Sequence, residues 1–176
     1  MEPLVRHRPD PQVPKAYLFA SSQERSEMKI LLVCSSGGHF AGMMRLKKFW
    51  GRHERTWVTF RNPSTEGDLQ GEKVWWAFSP TNRNLVNLVR NFFLAIFVLL
   101  KERPDLVVTT GAGVAVPFLF LARLLGAKAA FVESITRVKS LSLSARLVSP
   151  FAEVYVQWPE LHQNYPRTIY AEATNP

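Results

Sequence analysis

The sequence predicts an α/β fold, a Rossmann-like doubly wound parallel sheet, on three observations. Short apolar runs rich in β-branched residues alternate with longer stretches of helical periodicity. Runs such as Ile30-Leu31-Leu32-Val33-Cys34 are apolar at consecutive positions, as strands covered on both faces require. Two of the runs end in glycine loops that open helices, Ser35-Ser36-Gly37-Gly38-His39 and Thr110-Gly111-Ala112-Gly113.

In chain order, residues 1–27 come first. They carry Pro3, Pro9, Pro11 and Pro14 among charges and serines, and their apolar patch from Ala16 to Ala20 is too short for a signal-peptide core or a membrane span. They read as a flexible tail, residues 28–176 as one domain, and Met28, directly before the first strand, as a candidate start. Strands are expected at Lys29–Cys34, Thr56–Phe60, Lys73–Ala77, Leu106–Thr109, Lys128–Val132 and Glu153–Gln157. Helices are expected at His39–Trp50, Leu85–Glu102, Val114–Leu125 and Leu141–Val148. The third helix admits Pro117 in its opening turn, where a missing N–H is harmless. No repeat at solenoid periods is present.

The stretch Phe92 to Leu100, with Leu85, Val86, Leu88 and Val89, makes a helix apolar nearly all round. Asn87, Arg90 and Asn91 interrupt it and Lys101-Glu102-Arg103 end it, short of the roughly 20 apolar residues that a bilayer core demands. Burial against the sheet is one account. The other is an interfacial helix, with Phe92, Phe93 and Phe97 dipping into acidic lipid and Arg83 and Arg90 at its basic start.

At 176 residues the chain fits one domain and is too short for two nucleotide-fold lobes. A net charge of +8 favours an anionic partner: a phosphorylated small molecule, an acidic membrane surface or nucleic acid. Against nucleic acid, the basic residues are scattered and no reader motif is present. The single cysteine, Cys34, excludes an internal disulfide and a cysteine-cluster zinc site, and reads as a small buried residue. No metal or cofactor is expected.

In doubly wound sheets, ligands sit beyond the carboxyl ends of the strands where strand order reverses. The two glycine loops would meet there. Ser36, Gly37 and Gly38 let backbone N–H groups approach an anion at a helix start, and His39 adds a titratable side chain at the rim. Either loop is also compatible with a plain packing turn. A nicotinamide dinucleotide is disfavoured, because the spacing from Gly37 is not G-x-G-x-x-G and the second strand ends in Arg61-Asn62 with no acid for a ribose. Glu133, Ser134, Arg137 and Lys139 follow the fifth strand. Glu133 has four readings: a general base, an orienter of His39, a helix-cap acid, or an ion-pair partner of Arg137.

Several segments together carry a resemblance: Arg103-Pro104-Asp105 through Thr110-Gly111-Ala112-Gly113, Val116-Pro117, Val132-Glu133-Ser134-Ile135-Thr136-Arg137-Val138, Leu141-Ser142-Leu143-Ser144 and Val156-Gln157-Trp158-Pro159. From about Met28 to Tyr170 the chain resembles the acceptor-side subunit of two-component glycosyltransferases. These include the eukaryotic enzyme that adds the second N-acetylglucosamine to the dolichol-linked precursor, and the bacterial PssD and CpsF proteins. A weaker likeness is to the amino-terminal lobe of MurG. The resemblance implies a split GT-B enzyme in which this chain is the lobe for a polyprenyl-diphosphate-sugar acceptor, while a separate small subunit supplies the carboxy-terminal lobe for the UDP-sugar. It implies inverting transfer and activity only with that partner. By position, Gly37, Gly38 and His39 match the family's first loop, Gly111 and Gly113 its second, and Glu133 its Glu-Ser motif. His39 and Glu133 are thereby the candidate catalytic residues, and Ser36, Gly37, Gly38, Gly111, Gly113, Ser134 and Arg137 the candidate acceptor and diphosphate contacts. Many relatives begin with an apolar anchor, where this chain has its proline-rich stretch, so peripheral attachment at the cytoplasmic face of a membrane is expected. Two rival readings are a recruiting subunit without chemistry and a basic nucleotide- or nucleic-acid-binding module.

Overall fold

Parallel neighbours need crossover connections, and each apolar run here is followed by a segment long enough to provide one. The computed structural model describes residues 27–81 and 84–171 and forms a seven-stranded sheet whose pairings are all parallel. The strands are β1 (Lys29–Val33), β2 (Glu54–Phe60), β3 (Val74–Ala77), β4 (Leu106–Thr109), β5 (Lys128–Val132), β6 (Glu153–Val156) and β7 (Ile169–Tyr170). Their order in the sheet is β3-β2-β1-β4-β5-β6-β7. Chain direction across the sheet therefore reverses between β1 and β4, where Leu31 is registered with Val107 and Val33 with Thr109. This is the doubly wound sheet that the sequence predicts.

Alternate residues of each strand feed two apolar layers. Ile30, Leu32, Val108 and Ala130 pack beneath α1 (Gly38–Arg45), α2 (Lys47–Trp50) and the residue closing α3 (Pro63–Asp68), through Phe40, Met43, Trp50 and Leu69. Leu31, Val33, Val107 and Phe131 face the opposite layer, built from α4 (Leu85–Glu102), α5 (Ala115–Leu124), α6 (Leu143–Val148) and α7 (Pro159–Asn164). Among the described residues no helix is long and apolar enough to cross a membrane.

Several boundaries differ from expectation. The single helix expected over His39–Trp50 is two, because Leu46 (ψ 12°) breaks the run and the Trp50 indole turns back to donate to the Met43 carbonyl at 2.8 Å. Helix α3 arises where a bare strand end was expected. Asn62 caps it by accepting from Thr65 N at 2.9 Å, the Thr65 hydroxyl accepts from Asn62 N at 3.1 Å, and Pro63 fills the first helical position. The fourth expected helix starts two residues late, at Leu143, because Ser142 serves as its cap. Helix α7 and the two-residue β7 are additions. Residues 1–26 of the proline-rich stretch, and Arg83, lie outside the described residues.

Helix α4 is turned the opposite way from an ordinary surface helix over its first two turns. Asn87 and Asn91 are buried, whereas Leu85, Val86, Val89 and Phe93 face out, Phe93 at 64% exposure. Asn91 donates to the Phe78 carbonyl and accepts from the Phe78 N–H, both at 2.9 Å, and Asn87 donates to the Pro80 carbonyl at 3.0 Å. The second half packs on the sheet through Ala95, Val98 and Leu99 while Phe97 and Leu100 stay exposed. The burial expected from the sequence therefore holds for one face, and the other is an exposed apolar surface.

Candidate functional site

The glycine loops after β1 and β4 come together above the point of reversal and fasten to each other. The Thr110 hydroxyl donates to the His39 carbonyl at 2.6 Å, and His39 Nδ1 lies 2.7 Å from the Thr110 carbonyl. A carbonyl only accepts, so Nδ1 carries the proton, and in the neutral ring Nε2 keeps its lone pair. Nε2 has no hydrogen-bond partner among the described residues, and His39 lines the cleft beside it.

Two backbone positions make this arrangement possible. Gly37 (φ 75°) redirects the chain into α1. Gly111 (φ 121°) lies under the imidazole, where a Cβ would sit 2.6 Å from His39 Cε1 and 2.7 Å from Nδ1. Ala112 follows at φ 84°, a left-handed conformation that an L residue adopts at a cost.

The cleft has a volume of about 1340 Å³. Its floor is Ser36, Gly38, His39, Thr110 and Gly113; its walls are Arg61, Asn62, Ser79 and Pro80 on one side and Glu133, Ser134, Arg137 and Gln157 on the other. Helices α3, α4 and α6 are capped by Asn62, Asn84 and Ser142, but no side chain caps α1. The N–H groups of its first turn point at the cleft with the positive end of the helix dipole. Arg45 and Arg137 line the cleft without a carboxylate partner among the described residues, whereas Arg61 pairs with Glu66 at 2.6 Å. These groups suit an anion with several oxygens.

Glu133 is 3% exposed, and both its carboxylate oxygens accept backbone N–H groups: Oε1 from Ser134 at 2.9 Å and Oε2 from Ser142 at 2.7 Å. It thus clamps the two ends of the loop 134–142. Gln157 donates to the Glu133 carbonyl and the Trp158 indole to that of Ile135, which ties the same loop to the end of β6. Two of the four readings of Glu133 do not hold: His39 is oriented by the Thr110 carbonyl instead, and among the described residues Arg137 forms no ion pair with Glu133. The helix-cap reading is closest, since Ser142 is the cap residue of α6.

Of the expected site residues, Ser36, Gly38, His39, Gly113, Ser134, Arg137 and Glu133 line the cleft, Gly37 turns the first loop from outside it, and Gly111 lies buried beneath His39. Phe92, Phe93, Phe97 and Arg90 lie apart, exposed on α4, with the Arg90 guanidinium 5.6 Å from the Phe78 ring centre. Arg45, Arg61, Thr110 and Gln157 were not anticipated. Arg45 falls two turns into the helix opened by the first glycine loop, a spacing that the sequence does display. Among the described residues no cluster of three or more His, Cys, Asp or Glu converges on a metal position.

The model of the family described as "Oligosaccharide biosynthesis protein Alg14 like" matches residues 79–174. The UDP-N-acetylglucosamine transferase subunit ALG14 of Candida albicans is 31% identical, over 82% of this chain and 77% of its own. That of Mus musculus is 39% identical, over 83% and 82%. Among solved structures, MurG of Acinetobacter baumannii superposes over 84% of this chain with a TM-score of 0.64 at 16% identity. A UDP-GlcNAc 2-epimerase of Neisseria meningitidis superposes over 82% with a TM-score of 0.57 at 14% identity. The chain spans about half the length of these structures, 47% and 45%, and the likeness is one of fold.

Proposed function

We propose, from the premise that this chain belongs to the Alg14-like family of oligosaccharide biosynthesis proteins, that it is the acceptor-binding, membrane-associating subunit of a split inverting glycosyltransferase. Its domain, residues 28–176, corresponds to one lobe of a two-lobed GT-B enzyme, and a donor-binding subunit supplies the other. The relatives are named as UDP-N-acetylglucosamine transferase subunits, and UDP-N-acetylglucosamine is the donor assigned here. The acceptor is a polyprenyl-diphosphate-linked sugar. Its diphosphate would lie over Ser36, Gly38 and Gly113 with Arg137 and Arg45 opposite.

The observation that carries the reading is the His39–Thr110 pairing, which leaves an oriented Nε2 at an anion-suited cleft floor. In the transfer, His39 Nε2 takes the proton of the acceptor hydroxyl as its oxygen bonds to the anomeric carbon. The bond from that carbon to the UDP oxygen breaks on the opposite face, and UDP leaves with the electron pair, so configuration inverts. Glu133 holds the loop 134–142, and with it Ser134 and Arg137, against the acceptor. The outer face of α4 rests on the cytoplasmic surface of a membrane without crossing it, Arg90 meeting acidic headgroups and Phe92, Phe93 and Phe97 entering the acyl boundary.

The test is reconstitution with the partner lobe. The assembled pair should transfer the sugar and each chain alone should not. His39→Ala should lower kcat by about 10²–10⁴-fold with acceptor still bound. Gly38→Val should instead raise the acceptor KM, since a Cβ there meets no protein atom and obstructs only the ligand. Full transfer by the single chain, or a kcat that falls less than about tenfold in His39→Ala, refutes the assignment and moves the base to the partner.

A further inference from the structure

Two asparagines point inward from a helix whose outward side is apolar, and this inversion has a cost. A buried amide is tolerated only when its groups are paired. At Asn91 the pairing is complete in both senses: fully buried, it meets the N–H and the carbonyl of Phe78, the residue just past the end of edge strand β3. Asn87, one turn earlier on the same side, holds the carbonyl of Pro80. Such a pair fixes the rotation of the helix, because turning it to bury Phe92 or Phe93 would strand these amide groups and the backbone of Phe78 together.

The segment so held is a wall of the cleft. Ser79, Pro80 and Thr81 line it opposite Glu133 and Ser134. One helix thus carries on its outer side the apolar residues Leu85, Val86, Val89 and Phe93, and on its inner side the hydrogen bonds that place residues 78–80.

We infer that Asn91 and Asn87 are positioning residues that lock the cleft wall at 78–81 to helix α4, so that seating the outer face of α4 on a membrane sets the wall for the acceptor. This rests on the membrane reading of α4 given above. Acceptor binding is then coupled to membrane contact through two side chains, neither of which touches lipid or sugar.

The experiment uses the complex reconstituted with its partner lobe, with Asn91→Leu and the milder Asn87→Ala. Backbone amide exchange is followed for α4 and for the peptide holding Phe78, with and without vesicles of phosphatidylcholine and phosphatidylserine. KM and kcat are measured with detergent-solubilised polyprenyl-diphosphate N-acetylglucosamine. In the native complex, vesicles should slow exchange in both α4 and the Phe78 peptide. In Asn91→Leu they should still slow α4 but no longer the Phe78 peptide, and the acceptor KM should rise about tenfold while kcat stays within about twofold. If Asn91→Leu does not fold, Asn87→Ala, which removes the hydrogen bond to the Pro80 carbonyl and a long one at 3.5 Å from Arg90, should give the same contrast at smaller amplitude. Protection of α4 alone in the native complex, persistent protection of Phe78 in the variants, or an unchanged KM in both overturns the coupling. No protection of α4 in the native complex refutes the membrane reading, and the coupling with it.

Discussion

Replacing Gly111 by alanine should disable the site from below without substituting any cleft-lining residue. The new methyl would stand 2.6 Å from His39 Cε1 and 2.7 Å from Nδ1, where ordinary contact begins at 3.4 Å. The ring must therefore retreat by roughly 0.8 Å, which stretches its hydrogen bond to the Thr110 carbonyl and moves Nε2, and a misplacement near 1 Å costs on the order of 10²-fold in rate. The backbone adds its own term, since φ 121° is a conformation that L residues rarely adopt, at about 1–3 kcal/mol. In a chain of this length each kcal/mol lowers Tm by roughly 2–4 °C. The assay is kcat in the reconstituted complex beside a thermal melt, for Gly111→Ala, His39→Ala and the double variant. Once the imidazole is gone the methyl has room, so Gly111→Ala should lower kcat strongly in the native background and hardly at all in His39→Ala, while the backbone cost to Tm remains in both. Equal losses of kcat in the two backgrounds, or native activity in the single variant, would refute the argument that Gly111 acts through His39.

Two further expectations concern groups outside the cleft lining. Burial pushes the Cys34 thiol up to about 12, against a weaker pull from the Thr59 hydroxyl, so a thiol reagent at pH 8 should leave the folded protein unmodified and label it on unfolding in urea; prompt labelling of the native protein would contradict this. Burial also pushes the Glu102 carboxyl up, but Lys73, the Trp75 indole and the Thr56 hydroxyl outweigh it and hold it below its ordinary value. Its contribution to stability is then complete above the unfolded pKa and lost as pH falls through the folded one. Glu102→Gln should lower Tm at neutral pH and matter progressively less toward the acid end of the carboxylate range; a Tm deficit that is constant with pH would count against it.

The parts of this molecule visible in its sequence are those in which one segment states its own surroundings. Ile30 to Cys34 is apolar at every position because both faces are covered, and the two glycine loops show their need for left-handed or close-approach backbone directly. Helix α3 was also visible in principle, since Asn62-Pro63 with Thr65 spells a capped start, but the Arg61-Asn62 pair reads first as a strand end. The break at Leu46 depends on where Trp50 packs, and β7 exists only because β6 lies beside it. At the site, no pattern marks the Thr110 carbonyl as the group that orients His39, because a backbone acceptor has no letter. Glu133 left four roles open for a similar reason: the N–H groups that occupy its oxygens belong to every residue type. Asn87 and Asn91 read as interruptions in an apolar helix, and only the position of Phe78 turns them into its inner face.

The two hydrogen bonds between His39 and Thr110 also determine when the site can exist in the life of the chain. They join residues 71 positions apart, across the seam where β1 meets β4. In chain order β4 follows β2, β3 and α4, so the edge of β1 that β4 covers has no partner strand until all of these have been made; closure over that distance is slow to occur though little dearer than a shorter one. The cleft is therefore a late product of folding, complete only after both half-sheets have docked. Until then a nascent chain exposes the edge of β1 to other chains, and a chain cut between β3 and β4 must restore its imidazole by a bimolecular encounter in place of an intramolecular one.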